Sequence, residues 1–388
     1  MTQQAADSGG APQSNIQTPL CERLGIALPI ISAGMGPIAG PRLAAAVSNA
    51  GGLGVMGRTT MTPDQVRTYI RRCRELTDKP FGVDLILPSR VDQGGARVSD
   101  VASHIPDEHR ALAERIAREH GSEHTASNAR GPTDDRMALG TDAEAQIDVI
   151  LEEKVPVFVG ALGSPGWMVD RAHEADTIVM SMVGNVKQAI RVAQDGADVV
   201  VAQGTEGGGH TGHVGTMALL PQVLDAVSPT PVVAAGGIGD GRGLAASLVM
   251  GCQAVWVGTR FLATEEAGIA GWMKAEIVEA GDQSPIISRS YTGKRFRMLP
   301  NEWTKAWEEA PIDPLPMPLQ PVLVMQTLGG MAGGSNPALT QNGAGNIAGL
   351  IEKIVPAAEV VHSMADEAQE LLGGWSWQST RPKSRSKS

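Results

Sequence analysis

Eight short apolar runs rich in β-branched residues recur along the chain. They are PIISAG from Pro29, GLGVMG from Gly52, FGVDLIL from Phe81, VPVFVGAL from Val155, TIVMSMV from Thr177, VVVAQG from Val199, PVVAAGG from Pro231 and AVWVGTRF from Ala254. The runs are apolar nearly throughout rather than alternating, as parallel strands covered on both faces require. Helix signals fill the intervals. TPDQVRTYIRRCREL places Thr62 as N-cap and Pro63 at the first helical position. NVKQAIRVAQDG starts on Asn185 and stops at Gly196, and GRGLAASLVMG ends on Gly251. Eight strand–helix units predict an α/β fold of the (β/α)8 TIM-barrel type, preferred over an open doubly wound sheet.

Two stretches break this rhythm. Residues 88–148 form a polar insertion after the third strand, with helical spacing in DEHRALAERIAREHG. An insertion there lies on the catalytic face of a barrel and predicts a lid or substrate wall. The chain then continues for over a hundred residues past the eighth strand, a C-terminal extension expected to cover the barrel rim. The resulting division is a tail over 1–17, a barrel over 18–280, an extension over 281–375 and a basic tail over 376–388.

Composition narrows the classes. The 388 residues are 42% hydrophobic and 19% charged, which is globular, and the formal charge of −10 argues against a nucleic-acid partner. Cys21, Cys73 and Cys252 form no CxxC pair, so neither a disulfide framework nor a cysteine zinc site is expected. The N-terminus lacks the basic start and apolar core of a signal peptide. No apolar run reaches the roughly 18 residues of a membrane span. A cytoplasmic protein is expected, with a homo-oligomer compatible.

Residues just past the strand ends face the active site of a barrel. There the chain reads QGTEGGGHTGH after the sixth strand, AAGGIGDGRG after the seventh and VGTRF at the eighth. Glycine-rich turns after strands seven and eight predict a phosphate cradle of backbone N–H groups. GGLGVMG has GxGxxG spacing at Gly52, Gly54 and Gly57, but its glycines begin a strand instead of opening a helix, which excludes a dinucleotide fingerprint. His210, at the barrel mouth, is the candidate to accept or donate a substrate proton. His213 reads either as its partner or as surface polarity. Glu206 reads either as an acid/base or as an acceptor for loop N–H groups. His104, His109, His120 and His124 lie in the polar insertion and are expected to face solvent, with no metal site. A phosphate cradle alone also allows a non-flavin barrel, although no lysine stands at a strand end for Schiff-base chemistry.

Three segments together resemble one family: TPLCERLGIALPIISAGMGPIAGPRLAAAVSNAGGLGVMG, QGTEGGGHTGHVGTMALLPQV and PVVAAGGIGDGRGLAASLVMGCQAVWVGTRF. They are similar to the nitronate monooxygenases, formerly 2-nitropropane dioxygenases, a family that includes flavin-dependent enoyl-acyl-carrier-protein reductases. The resemblance implies FMN, with the glycines of the sixth-strand loop lying against it. It places Gly34 and Met35 at the flavin ring, and Gln203, Gly208 and Gly209 at the cofactor near the sixth strand. Gly236, Gly237, Gly258 and Thr259 fall at the FMN phosphate, and His210 at the catalytic histidine. The implied reaction is oxidation of an alkyl nitronate by dioxygen, in a pocket lined by residues such as Met35 and Met182. The alternative is NAD(P)H-dependent chemistry on an acyl thioester or quinone, with a mouth shaped by 88–148 and 300–345. Asp84 stands at a cofactor position where family members commonly carry asparagine. A carboxylate there disfavours negative charge on a reduced flavin unless it is protonated or paired.

Overall fold

The computed structural model describes residues 16–59, 61–87, 98–122, 143–330 and 336–373. The tail expected at 376–388 lies outside these residues, as do His124 and much of the 88–148 insertion. Ile16, inside the expected N-terminal tail, is instead fully buried in the core. It is an isolated apolar residue in a polar stretch, and it takes its place by packing rather than by any local pattern.

All eight predicted strands form. In chain order the elements are β1 (Ile30–Ser32), β2 (Gly54–Gly57), β3 (Phe81–Ile86), β4 (Val157–Ala161), β5 (Ile178–Val183) and β6 (Val199–Gln203), then a two-residue strand β7 (Gly209–His210) outside the barrel, then β8 (Val232–Ala235) and β9 (Ala254–Val257). The barrel strands pair in parallel in the order β1-β9-β8-β6-β5-β4-β3-β2. The seam between β1 and β2 closes through a bridge from Ile31 to Leu53. There Ser32 N–H donates to Leu53 O and Leu53 N–H donates to Ile30 O, both at 2.9 Å. The Ser32 hydroxyl accepts from Val55 N–H at 3.2 Å, a side chain standing in for a ladder bond. The chain is a (β/α)8 TIM barrel.

Alternate residues of each strand serve different layers, which explains the continuous apolar runs. Val199 and Val201 fill the barrel interior with Val157, Val159, Met180 and Val233. Val200 and Ala202 point the other way, into the layer under the surrounding helices. The predicted caps hold. Thr62 and Gln65 form a capping box on Pro63–Arg74, Asn185 caps Val186–Gln194, and Gly251 ends Gly241–Met250 in the left-handed conformation.

The segment after β9 does two things. Residues Ala357–Leu372 join the ring of helices, burying Val360, Val361 and Met364 in the same layer as Leu244 and Leu248. Glu367 accepts from Gly241 N–H at 2.7 Å. The rest builds a cap with the insertion. Trp303, Trp307, Leu323 and Val324 share one cluster with Leu112 and Ile116 of the helix Asp107–Glu119. His109 is buried against this cluster and does not face solvent as expected. Its Nε2 lies 3.1 Å from Asp313 O and its ring 6.0 Å from that of Trp307. Position 109 precedes 112, 113, 116 and 117 on one helical face, so it turns inward with them. His104 is exposed and His120 half-buried.

A second, small sheet was not predicted. Strands β10 (Ile286–Ser288) and β11 (Phe296–Met298) form a hairpin, and β11 pairs antiparallel with β7, setting Phe296 opposite His210. No helix among the described residues is long and apolar enough to cross a membrane.

Candidate active site

A cavity of about 1650 Å³ opens at the C-terminal ends of the barrel strands. Gly34, Met35, Asp84, Gln203, Gly208, Gly209, His210, Gly236, Gly237, Gly258 and Thr259 all line it. Residues drawn from five chain segments thus converge on one cavity. Among the described residues, no three His, Cys, Asp or Glu side chains converge as a metal site.

The floor is set by Gly34 and Asp84. A Cβ on Gly34 would stand 2.4 Å from that of Asp84, so only glycine lets the β1 loop pass over the carboxyl. Asp84 is buried, and its Oδ1 has no hydrogen-bond partner among the described residues. Loss of hydration pushes its pKa up to about 8. The carboxyl therefore keeps its proton at neutral pH, and the cavity floor carries no negative charge.

A tight turn of two glycines follows β8 on the cavity wall. Gly236 and Gly237 have φ of +89° and +72°, a conformation that side chains resist. Their N–H groups find no acceptor among the described residues. The Thr259 hydroxyl accepts from Gly345 N–H at 2.9 Å and keeps its own proton to donate. These donors fit a phosphate monoester, and the apolar surface of Met35, Met182 and Trp256 fits a planar aromatic ring. The residues present are thus compatible with a flavin that carries a phosphate.

The histidine loop is held mainly by protein. Gln203 Nε2 donates to His210 O at 2.7 Å, so this predicted cofactor contact also props the loop. A Cβ on Gly208 would lie 2.8 Å from Gly345 N, so at least one glycine of the run answers to close backbone packing rather than to a ligand. Glu206 accepts from Thr216 N–H at 2.9 Å and from the Thr216 hydroxyl at 2.8 Å, capping the helix Thr216–Val227. Its role is the structural one of the two considered. His213 is exposed at the rim.

His210 itself sits under the β10–β11 hairpin. Its Nε2 lies 3.1 Å from the Thr292 hydroxyl, and Phe296 meets its ring edge-on at 5.1 Å between centroids. Burial, and after it the charge of Lys294, lower its pKa to about 4. The imidazole is neutral at pH 7, with Nδ1 making no hydrogen bond among the described residues. Thr292, Lys294 and Phe296 were missed in the sequence. They lie more than eighty positions away, in a basic segment with no strand signature.

The comparisons with known proteins agree with this geometry. The sequence pattern described as nitronate monooxygenase matches residues 17–367. A Mycobacterium tuberculosis protein named as a monooxygenase is 37% identical over 343 residues, 85% of this chain and 91% of its own. A Rhodococcus jostii hydroxy-methyl-oxo-octahydroindene-carboxyl-CoA dehydrogenase is 36% identical over 297 residues, 76% of this chain and 69% of its own. The crystal structure of nitroalkane oxidase from Streptomyces ansochromogenes superposes with a TM-score of 0.76 at 30% identity, covering 89% of this chain and 96% of that one. The chain belongs to the nitronate monooxygenase family of flavin-dependent oxidoreductases.

Proposed function

We propose that the protein binds FMN and oxidises alkyl nitronates with dioxygen. The observation that carries this reading is a neutral, buried histidine in the same cavity as backbone and hydroxyl donors suited to a phosphate. When bound, the flavin supplies the electron transfer from substrate to dioxygen. The chain supplies position and electrostatics. Gly236, Gly237 and Thr259 would hold the phosphate, and Gly34 and Met35 would face the ring. His210 is fixed through Nε2 by Thr292, which leaves Nδ1 to meet the substrate.

The low basicity of His210 selects between substrates. A base with a pKa of about 4 is poorly matched to removing a carbon-bound proton near pH 7. A nitronate is already deprotonated and needs only orientation by a neutral ring. Hence kcat/KM for a nitronate should exceed that for the parent nitroalkane, with no inflection from His210 between pH 5 and 8. His210→Asn should retain FMN and lower kcat/KM for the nitronate by up to about 10²-fold, the scale of lost substrate positioning. An unchanged kcat/KM would remove the histidine from the reaction.

A second reading is NAD(P)H-dependent chemistry on an acyl thioester or quinone. Cavity size supports it, because 1650 Å³ exceeds the roughly 300–1,000 Å³ of ordinary ligand sites. The similar CoA dehydrogenase points the same way.

A further inference from the structure

The cavity floor holds a group that can change its charge. Asp84 lies on β3, in register with Gly57 of β2 and Val159 of β4. Its side chain lines the cavity at only 7% exposure, and its Oδ1 meets no hydrogen-bond partner among the described residues. A buried polar atom in that state is costly, and a group brought by a ligand would relieve it. A Cβ on Gly34 would stand 2.5 Å from Asp84 Oδ2, so glycine keeps the carboxyl uncovered. Met35, part of the apolar surface suited to a planar ring, follows directly.

The surroundings leave the proton of Asp84 free to respond to that ring. Just past β2, Arg58 donates its backbone N–H to Asp84 O at 3.0 Å. Its guanidinium is spent elsewhere, on Gly57 O and Ala39 O at 2.6 and 2.9 Å and over the Tyr69 ring. The β1 loop brings Gly34 and Met35, and β4 brings Val159, none of them titratable. His210, Glu206, Lys294 and Arg295 line the same cavity. Burial alone sets the proton affinity of Asp84, which stays protonated up to about pH 8. An asparagine of the same shape would offer a permanent N–H donor. A carboxyl offers a donor only while it keeps its proton, and its loss sets a negative charge on the floor.

We infer that Asp84 is a redox-linked proton site: its carboxyl donates a hydrogen bond to the flavin ring and takes up a proton from solvent when the ring is reduced at alkaline pH. The inference rests on the flavin binding proposed above and on neither of the two substrate readings. Two electrons and one proton entering the ring leave it anionic. A like charge close by makes the carboxyl hold its proton more tightly, up to a pH higher by about one to three units. Between the two affinities each reduced ring brings in a second proton. An O–H bond forms on Asp84, the proton comes from solvent, and no bond of the chain breaks. Reoxidation releases it again.

The test is spectroelectrochemical titration of the full-length, FMN-loaded protein and of Asp84→Asn between roughly pH 6 and pH 10. The electrode supplies the electrons, and flavin absorbance reports loading beforehand. Near pH 7 the two potentials should run parallel. Above about pH 8 the wild-type potential should fall about twice as steeply with pH, by the extra proton taken up, while Asp84→Asn keeps a single slope. Reduced-minus-oxidised infrared spectra at about pH 9 should show the wild type gaining a protonated carboxyl band that the variant lacks. The wild-type band stands as a test without the variant. Equal slopes in the two loaded proteins, or no carboxyl band gained on reduction, overturn the inference and leave the flavin reading standing. A wild-type protein that takes up no FMN overturns both.

Discussion

Asp84 gives the most quantitative test of the site. In the unfolded chain its carboxyl ionises near the usual value of 3.8, whereas in the fold it holds its proton up to about pH 8. Between these values the folded state binds the extra proton, so stability falls as pH rises. Each unit is about 1.4 kcal/mol. The wild-type protein, freed of cofactor, therefore loses on the order of 3 kcal/mol at this one residue between pH 5 and pH 7. Asp84→Asn has nearly the same shape and no such proton. The difference in unfolding free energy between variant and wild type should grow in favour of the variant by that amount over the same interval. Urea denaturation of both proteins at the two pH values measures it, with all other groups cancelling in the comparison. A difference that stays constant with pH would refute the neutral carboxyl. The same result would restore a negative charge to the cavity floor.

Two further substitutions probe the walls. Gly34→Ala would force a Cβ to within 2.4 Å of that of Asp84; unfolding measurements should show a loss of about 1–3 kcal/mol, and FMN titration should show weakened binding. Glu206→Ala strips the acceptor from Thr216 N–H and should lower stability by roughly 1–3 kcal/mol in the same assay. Unaltered stability with lost turnover would make Glu206 a catalytic group instead of a cap.

Most of the barrel could be read from the chain because each of its strands is covered on both faces. VVVAQ at 199–203 must be apolar on both sides, since Val199 meets the interior and Val200 the helical layer. The caps at Thr62, Asn185 and Gly251 are local chemistry and were legible for that reason. The β10–β11 hairpin was not. Its strands are three residues long, it is rich in Arg and Lys, and its partner is a two-residue strand far back in the chain. His109 could have been placed by the helical face it shares with Leu112 and Ile116, had the polar insertion not suggested solvent. The glycines around His210 were visible as a demand for close approach. At Gly208 that demand comes from the backbone at 344–345, which no local pattern encodes. Family membership also removes the non-flavin barrel that a phosphate cradle alone allowed.

On the proposed function, a flavin bound in this cavity would take electrons directly from a nitronate. The most direct measurement is anaerobic addition of an alkyl nitronate, and separately of NADPH, to the FMN-loaded protein while the flavin absorbance is followed. Bleaching by the nitronate without nicotinamide, reversed with uptake of dioxygen when air is admitted, is the predicted result. Bleaching by NADPH alone, with none by the nitronate, would contradict nitronate oxidation.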